Sequence, residues 1–232
     1  MEHKKYEFFE SLMRMTEILN STGEEYRKYP YIPSEGIMEG HKGYFVDCAV
    51  IVSRLYFNTN DIKALSLAKI YDMYISEAKR ILAEHKLCNK IILHGNSIIG
   101  IYNTGNEGYL NELMDVAGRI LSLTDVINAK AGRMGSPMFG NVCALEAGYL
   151  YAIKAEDGLD FFGGMLRRAE GWIAKPDDDK ELRGLYISQK VRDGLKEQYQ
   201  KFFQLQDFDG LYHGMVENVG MARWVKENVK GG

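Results

Sequence analysis

With 232 residues, 46% of them hydrophobic, the chain can bury a sizeable core as one domain, or at most two. A formal net charge of −3 removes the electrostatic case for a nucleic-acid partner, which calls for a concentrated basic face. An aromatic content of 12%, with fifteen tyrosines, argues against disorder.

In chain order, apolar residues Phe8, Phe9, Leu12, Met13, Ile18 and Leu19 recur at helical spacing and predict a first helix over residues 5–20. The proline-containing stretch KYPYIPSEG reads as an extended linker. GYFVDCAVIVS, residues 43–53, is β-branched and apolar and predicts a buried strand. A helix is predicted over 61–85, opening on Asp61 as its N-cap. KIILHGNSIIGIYNT then reads as a hairpin with Asn96 at its tip. A second long helix is predicted over 106–134, and a strand over 139–155 with a bulge or turn at Gly148. DFFGGMLRRAEGWIAK turns helical after its glycine pair. GLYISQKVRDGLKEQYQKFF predicts a short strand and one helix, and a last helix is expected over 214–228 with Met215, Val219, Ala222 and Val225 on one face. This order predicts an α+β fold, a ferredoxin-like antiparallel sheet with packed helices and extra helices at both termini.

The three cysteines, Cys48, Cys88 and Cys143, fit neither a zinc pattern nor a disulfide framework and read as buried free thiols in a reducing compartment. No signal-peptide core and no run of about 18 apolar residues is visible, so a soluble cytoplasmic protein without membrane contact is expected. The five histidines show no metal spacing, and the glycine-rich GRMGSPMFG lacks the Lys-Ser/Thr ending of a phosphate-binding loop.

Seven pieces in shared order carry a resemblance: IPSEGIMEGHKGYFVDCAVIV, LAKIYDMYISEAKRIL, KIILHGNSIIGIYNT, AGRILSLTDVINAK, LEAGYLYAIKA, YIS and YHGMVENVGMARWV. Together they are similar to the class III nucleotidyl cyclases, and more narrowly to the bacterial pyrimidine cyclases of Pycsar anti-phage defence. The resemblance divides the chain into an N-terminal helix and linker, 1–31, and a cyclase-homology domain with a C-terminal helical extension, 32–232. It implies a head-to-tail homodimer with the site between subunits, and two aspartates holding Mn2+ or Mg2+. One aspartate is implied at the end of the first strand and one at the hairpin tip. The metals activate a ribose 3′-hydroxyl against the triphosphate.

The chain departs from that pattern. The hairpin-tip aspartate corresponds to Asn96, a neutral ligand that also suits a turn by tolerating a left-handed backbone and bonding its own main chain. The first-strand aspartate has two alignments. The apolar run AVIV and the spacing to LAKIY favour Ser53, while Asp47 is the alternative ligand. The following RLYFNTND offers Arg54 and bulky Tyr56 where the phosphates would sit. Ile92 and Gly164 replace a base-reading lysine and the aspartate of a Gly-Asp pair. Arg167 stands at the ribose-positioning Asn with Arg168 beside it, and Gly171 stands at the transition-state Arg. The leading expectation is a catalytically impaired cyclase-homology protein that binds a nucleotide or cyclic nucleotide, or pairs with an active cyclase as a heterodimer. The alternative is an active uridylate or cytidylate cyclase using Mn2+ or Mg2+ in antiviral defence.

Overall fold

The computed structural model describes residues 6–20, 28–34, 38, 43–57, 62–133, 136–155, 158–174, 183–206 and 210–229. The elements are α1 (Phe8–Asn20), β1 (Lys28–Tyr29), β2 (Tyr44–Phe57), α2 (Ala64–Glu84), β3 (Cys88–His94), β4 (Ser97–Asn103), α3 (Tyr109–Gly132), β5 (Phe139–Ala155), β6 (Gly158–Phe162), α4 (Gly164–Trp172), β7 (Arg183–Ser188), α5 (Gln189–Gly194), α6 (Glu197–Gln200), β8 (Phe203–Leu205), β9 (Leu211–Gly214) and α7 (Val219–Val229).

β2 is central because both its faces are apolar, as a strand covered on two sides requires. It pairs antiparallel with β4 on one side and β5 on the other. The sheet runs β3-β4-β2-β5-β7-β9-β8, with β1 added to β2 and β6 to β5. The α+β expectation holds, but the sheet is mixed: β1–β2 and β5–β7 are parallel. Side-chain alternation splits the core in two. Ala49, Ile51 and Leu55 of β2 meet α2 and α3, through Ile70, Tyr74, Ala78 and Leu82 at four-residue spacing on α2. Val46, Cys48, Val50 and Val52 meet the other layer, where α4 inserts Met165, Ala169 and Ile173. Each fully buried Val, Leu, Ile or Met among them contributes about 1.5–3 kcal/mol by leaving water.

Several boundaries differ from the sequence expectation. β2 runs on to Phe57, four residues past Ser53, because Arg54 to Phe57 continue an unbroken register with Val142 to Phe139. Gly148 is not a bulge; it pairs in sequence with Cys48, and a Cβ there would lie 3.3 Å from the Met165 sulfur. α2 starts at Ala64 with Lys63 at its N-cap, and Asp61 lies outside the described residues. The single helix expected after β7 is two short ones, split where Leu195 turns extended and buries itself. The last helix begins at Val219, not 214. Gly214 belongs to β9, where a Cβ would fall 2.3 Å from the Phe202 carbonyl oxygen, and Asn218 then caps the helix by accepting from the Met221 amide at 3.1 Å. Met215 is therefore outside the helix. The expected linker supplies β1, and Ile32 and Met38 beyond it are buried in the α4-side core. All three cysteines are free thiols. Burial pushes Cys48 and Cys143 up to about 12.

Candidate functional site

Ser53 points toward the helices α2 and α3 and is buried. Its hydroxyl donates to Asn141 Oδ1 at 2.6 Å, Asn141 Nδ2 donates to Tyr74 Oη at 3.0 Å, and Tyr74 Oη lies 2.6 Å from Ser53 Oγ. With the Ser53 proton committed to Asn141, the tyrosine must donate to the serine, which closes a three-membered ring. The second Asn141 amide proton reaches the Ile120 carbonyl at 3.3 Å. Burial raises the Tyr74 hydroxyl well above its ordinary value, so the ring stays neutral. Each partner in this buried site is satisfied, which is the condition for burying polar groups cheaply.

Asn96 closes the other side of the hairpin. Its carbonyl oxygen accepts from the Leu55 amide at 3.2 Å, and its side-chain Nδ2 donates to the Leu55 carbonyl at 2.8 Å. Next to it, Arg54 Nε donates to Ser97 Oγ at 2.9 Å. The side chain thus extends the β2–β4 ladder by one rung. Gly95, not Asn96, takes the left-handed backbone, at φ 59°. The amide is held across the hairpin rather than against its own main chain, so the turn-residue explanation from sequence is replaced by a cross-strand one. An aspartate there would set a carboxylate oxygen against a carbonyl oxygen.

Asp47 is remote from both. It faces Tyr149 in the register, eight residues along β2 from Leu55, or roughly 26 Å at about 3.3 Å per residue. Among the described residues, the cation paired with it is Lys190 at 4.0 Å. Among the described residues, no group of three or more His, Cys, Asp or Glu is placed to hold a metal ion. The divalent metal that a cyclase fold implies does not fit these donors. Ser53 is consumed in its ring, Asn96 turns its amide to Leu55, and Asp47 stands at the far end of the strand.

On the α4 side the picture is looser. Arg54 and Tyr56 point to this face, where Tyr56 and Tyr186 of β7 lie against the second core. Burial raises the Tyr56 hydroxyl above its ordinary value, partly offset by the adjacent Arg54. Ile92 packs into the same core. Gly163 enters α4 at φ 151°, where a Cβ would come 3.2 Å from Leu150 Cδ2; Gly164 opens the helix, and Gly171 faces open space. Arg167 is exposed. Arg168 approaches Glu146 of β5 at 3.6 Å. Glu146 is only 3% exposed, and its other oxygen accepts the Ala147 amide at 3.1 Å.

Two contacts were missed by sequence reasoning. Lys90, on the same strand face as Ile92 and two residues before it, donates to the Leu159 carbonyl and to Asp160 Oδ1 at 3.1 Å, tying β3 to β6. Strand alternation from Ile92 was the signal for it. His94, beside the tip, bonds Glu170 at 2.8 Å and links the hairpin to α4. Glu146 gave no local signal, because its burial depends on β2 and α4, which are distant in sequence.

No family model matches the sequence. A uridylate cyclase from Gulbenkiania mobilis is 24% identical over 97% of this chain and 98% of its own length. Among solved structures, an adenylyl cyclase from P. aeruginosa superimposes with a TM-score of 0.59 at 10% identity, covering 77% of this chain and 98% of that one. A class III adenylyl cyclase-like ATP-binding protein from Pseudomonas aeruginosa gives a TM-score of 0.51 at 13% identity, covering 98% of this chain and 49% of that one. The chain therefore has the fold of the class III nucleotidyl cyclases and is similar in sequence, along nearly its whole length, to a uridylate cyclase.

Proposed function

We propose that this protein keeps the cyclase fold as a nucleotide-binding or regulatory unit and lacks two-metal chemistry. The observation that carries the reading is the Asn96 amide donating to the Leu55 carbonyl at 2.8 Å. The tip position holds a hydrogen-bond donor engaged in the ladder, where metal chemistry needs an anionic oxygen. The buried Ser53 ring supports it from the first strand.

The face that remains for a ligand is the α4 side. Arg167 and Arg168 stand on α4, which the resemblance aligns with a ribose-positioning helix, and a guanidinium suits a phosphate bidentately. A phosphate or cyclic phosphate of a nucleotide is the chemistry we assign to it. The partner is a second copy arranged head to tail, or an active cyclase supplying the missing acids. A solved neighbour described as a cyclase-like ATP-binding protein lends this reading an example of such a fold.

Calorimetric titration with UTP, CTP and their cyclic products tests it, with and without a chelator. Binding should survive chelation and weaken at least tenfold, about 1.4 kcal/mol, in Arg168→Ala. No binding to any nucleotide would leave a dimerisation module and overturn the proposal.

A second reading is favoured by one observation, the sequence similarity to a uridylate cyclase along nearly the whole chain. On that reading the protein converts UTP or CTP to a 3′,5′-cyclic nucleotide and pyrophosphate in a Pycsar-type antiviral system. Asn96→Asp would then raise metal-dependent activity sharply.

A further inference from the structure

Helix α1 holds its apolar side chains in solvent. Phe8, Phe9, Leu12, Met13, Met15 and Leu19 are all exposed, with Phe9 at 78% and Leu19 at 83%. The helix's one buried residue is Ser11, whose hydroxyl accepts from the Arg14 guanidinium at 3.0 Å. A helix that packed its apolar face on its own domain would show the reverse pattern.

The spacing says what kind of surface would cover it. Phe8, Leu12, Met15 and Leu19 are separated by four, three and four residues, the alternation of d and a positions in a heptad. In that frame Phe9 stands at e and Met13 at b. The charged residues Glu10, Arg14 and Glu17 fall at f, c and f, away from the seam. Two copies can therefore face each other with apolar groups in every layer and no like charges across the contact.

The area agrees. At about 150–200 Å2 for a fully exposed side chain of this size, the five residues at the a, d and e positions offer roughly 450–600 Å2 per helix. That is the upper end of the roughly 300–600 Å2 patch of an ordinary monomer. Two such helices bring about 900–1,200 Å2 together, the size of a small specific interface. A membrane-surface helix would carry a basic polar face, whereas α1 has two glutamates to one arginine there.

We propose that α1 is an association helix that pairs with α1 of a second copy of this chain. This contact lies outside the sheet and does not depend on what the α4 face binds.

Disulfide trapping in the full-length protein tests it. Parallel pairing brings Leu12 to Leu12 and Met15 to Met15, and antiparallel pairing brings Leu12 to Met15. The double variant Leu12→Cys/Met15→Cys captures either arrangement, with Arg14→Cys on the outer face as its control and the unaltered chain as background. Under mild oxidation the double variant should form a linked dimer at least tenfold faster than the control. Leu12→Glu should raise the dimer dissociation constant of the unlinked protein at least tenfold while leaving its far-ultraviolet circular dichroism unchanged. Equal trapping at the seam and the outer face, or no trapping at either, would overturn the proposal. So would sedimentation with phosphatidylcholine–phosphatidylserine vesicles that Leu12→Glu abolishes in a chain that does not cross-link. Because trapping reads contact at α1 alone, its outcome is separate from any nucleotide result.

Discussion

Two buried polar groupings, one on each face of the sheet, are satisfied in different ways. Under α2 and α3, Ser53, Tyr74 and Asn141 close on one another, and every donor has an acceptor. Under α4, the buried Glu146 has, among the described residues, a 3.6 Å contact with the exposed Arg168 and the amide of its own neighbour. Arg167 stands in solvent on the same helix. The first arrangement is a finished core. The second retains charge that a ligand or a second subunit can engage. The difference teaches that Ser53 is fully engaged by its own fold, while the arginines of α4 are not.

The sharpest way to break that contrast is Ser53→Asp. A carboxylate placed in the closed ring would be buried beside two groups already committed to each other. We expect a loss of about 3–5 kcal/mol in urea unfolding, as for other uncompensated buried charges. A well-folded Ser53→Asp protein that binds manganese would show the ring to be a dormant metal site.

Tyr74→Phe asks how much the ring holds. It removes the acceptor for Asn141 Nδ2 and the donor to Ser53 Oγ, and should cost about 1–3 kcal/mol by the same measurement. Asn96→Asp sits at an exposed tip and should cost less, about 1–2 kcal/mol, by losing one hydrogen bond and opposing two oxygens. Restored stability with new activity would instead favour the active-cyclase reading.

The smallest effect is a pH trend. The buried Tyr74 hydroxyl and the Cys48 and Cys143 thiols have folded values raised above their ordinary 10.0 and 9.0. In that case the unfolded chain loses protons first as pH rises. Stability from these groups is complete below about pH 9 and declines above it. Thermal midpoints should fall steadily from pH 9 to 10, and Tyr74→Phe should reduce the slope.

The fold was legible where one strand or helix decided its own fate. β2's unbroken apolar run, the β3–β4 hairpin and the periodic α2 and α3 all follow from local pattern. What was not legible depended on pairing. The last four residues of β2, Arg54 to Phe57, look like a loop until Phe139 to Val142 are set beside them. β8 and β9 are too short to signal themselves. The site was legible in part. That Asn96 and Ser53 are not metal-binding acids is plain in the sequence. That one closes a strand ladder and the other a buried ring is visible only once Leu55, Tyr74 and Asn141 are brought to them, from up to 88 residues away. Glu146 was silent for the same reason, and strand alternation gave the face of Lys90 but not its partner Asp160.

The central claim is that the chain lacks two-metal cyclase chemistry, and product analysis tests it most directly. The purified protein is incubated with manganese and each of the four ribonucleoside triphosphates beside an active relative, and products are resolved by chromatography and mass spectrometry. The account predicts four blanks from this chain. A metal-dependent peak of cyclic UMP or cyclic CMP would contradict it.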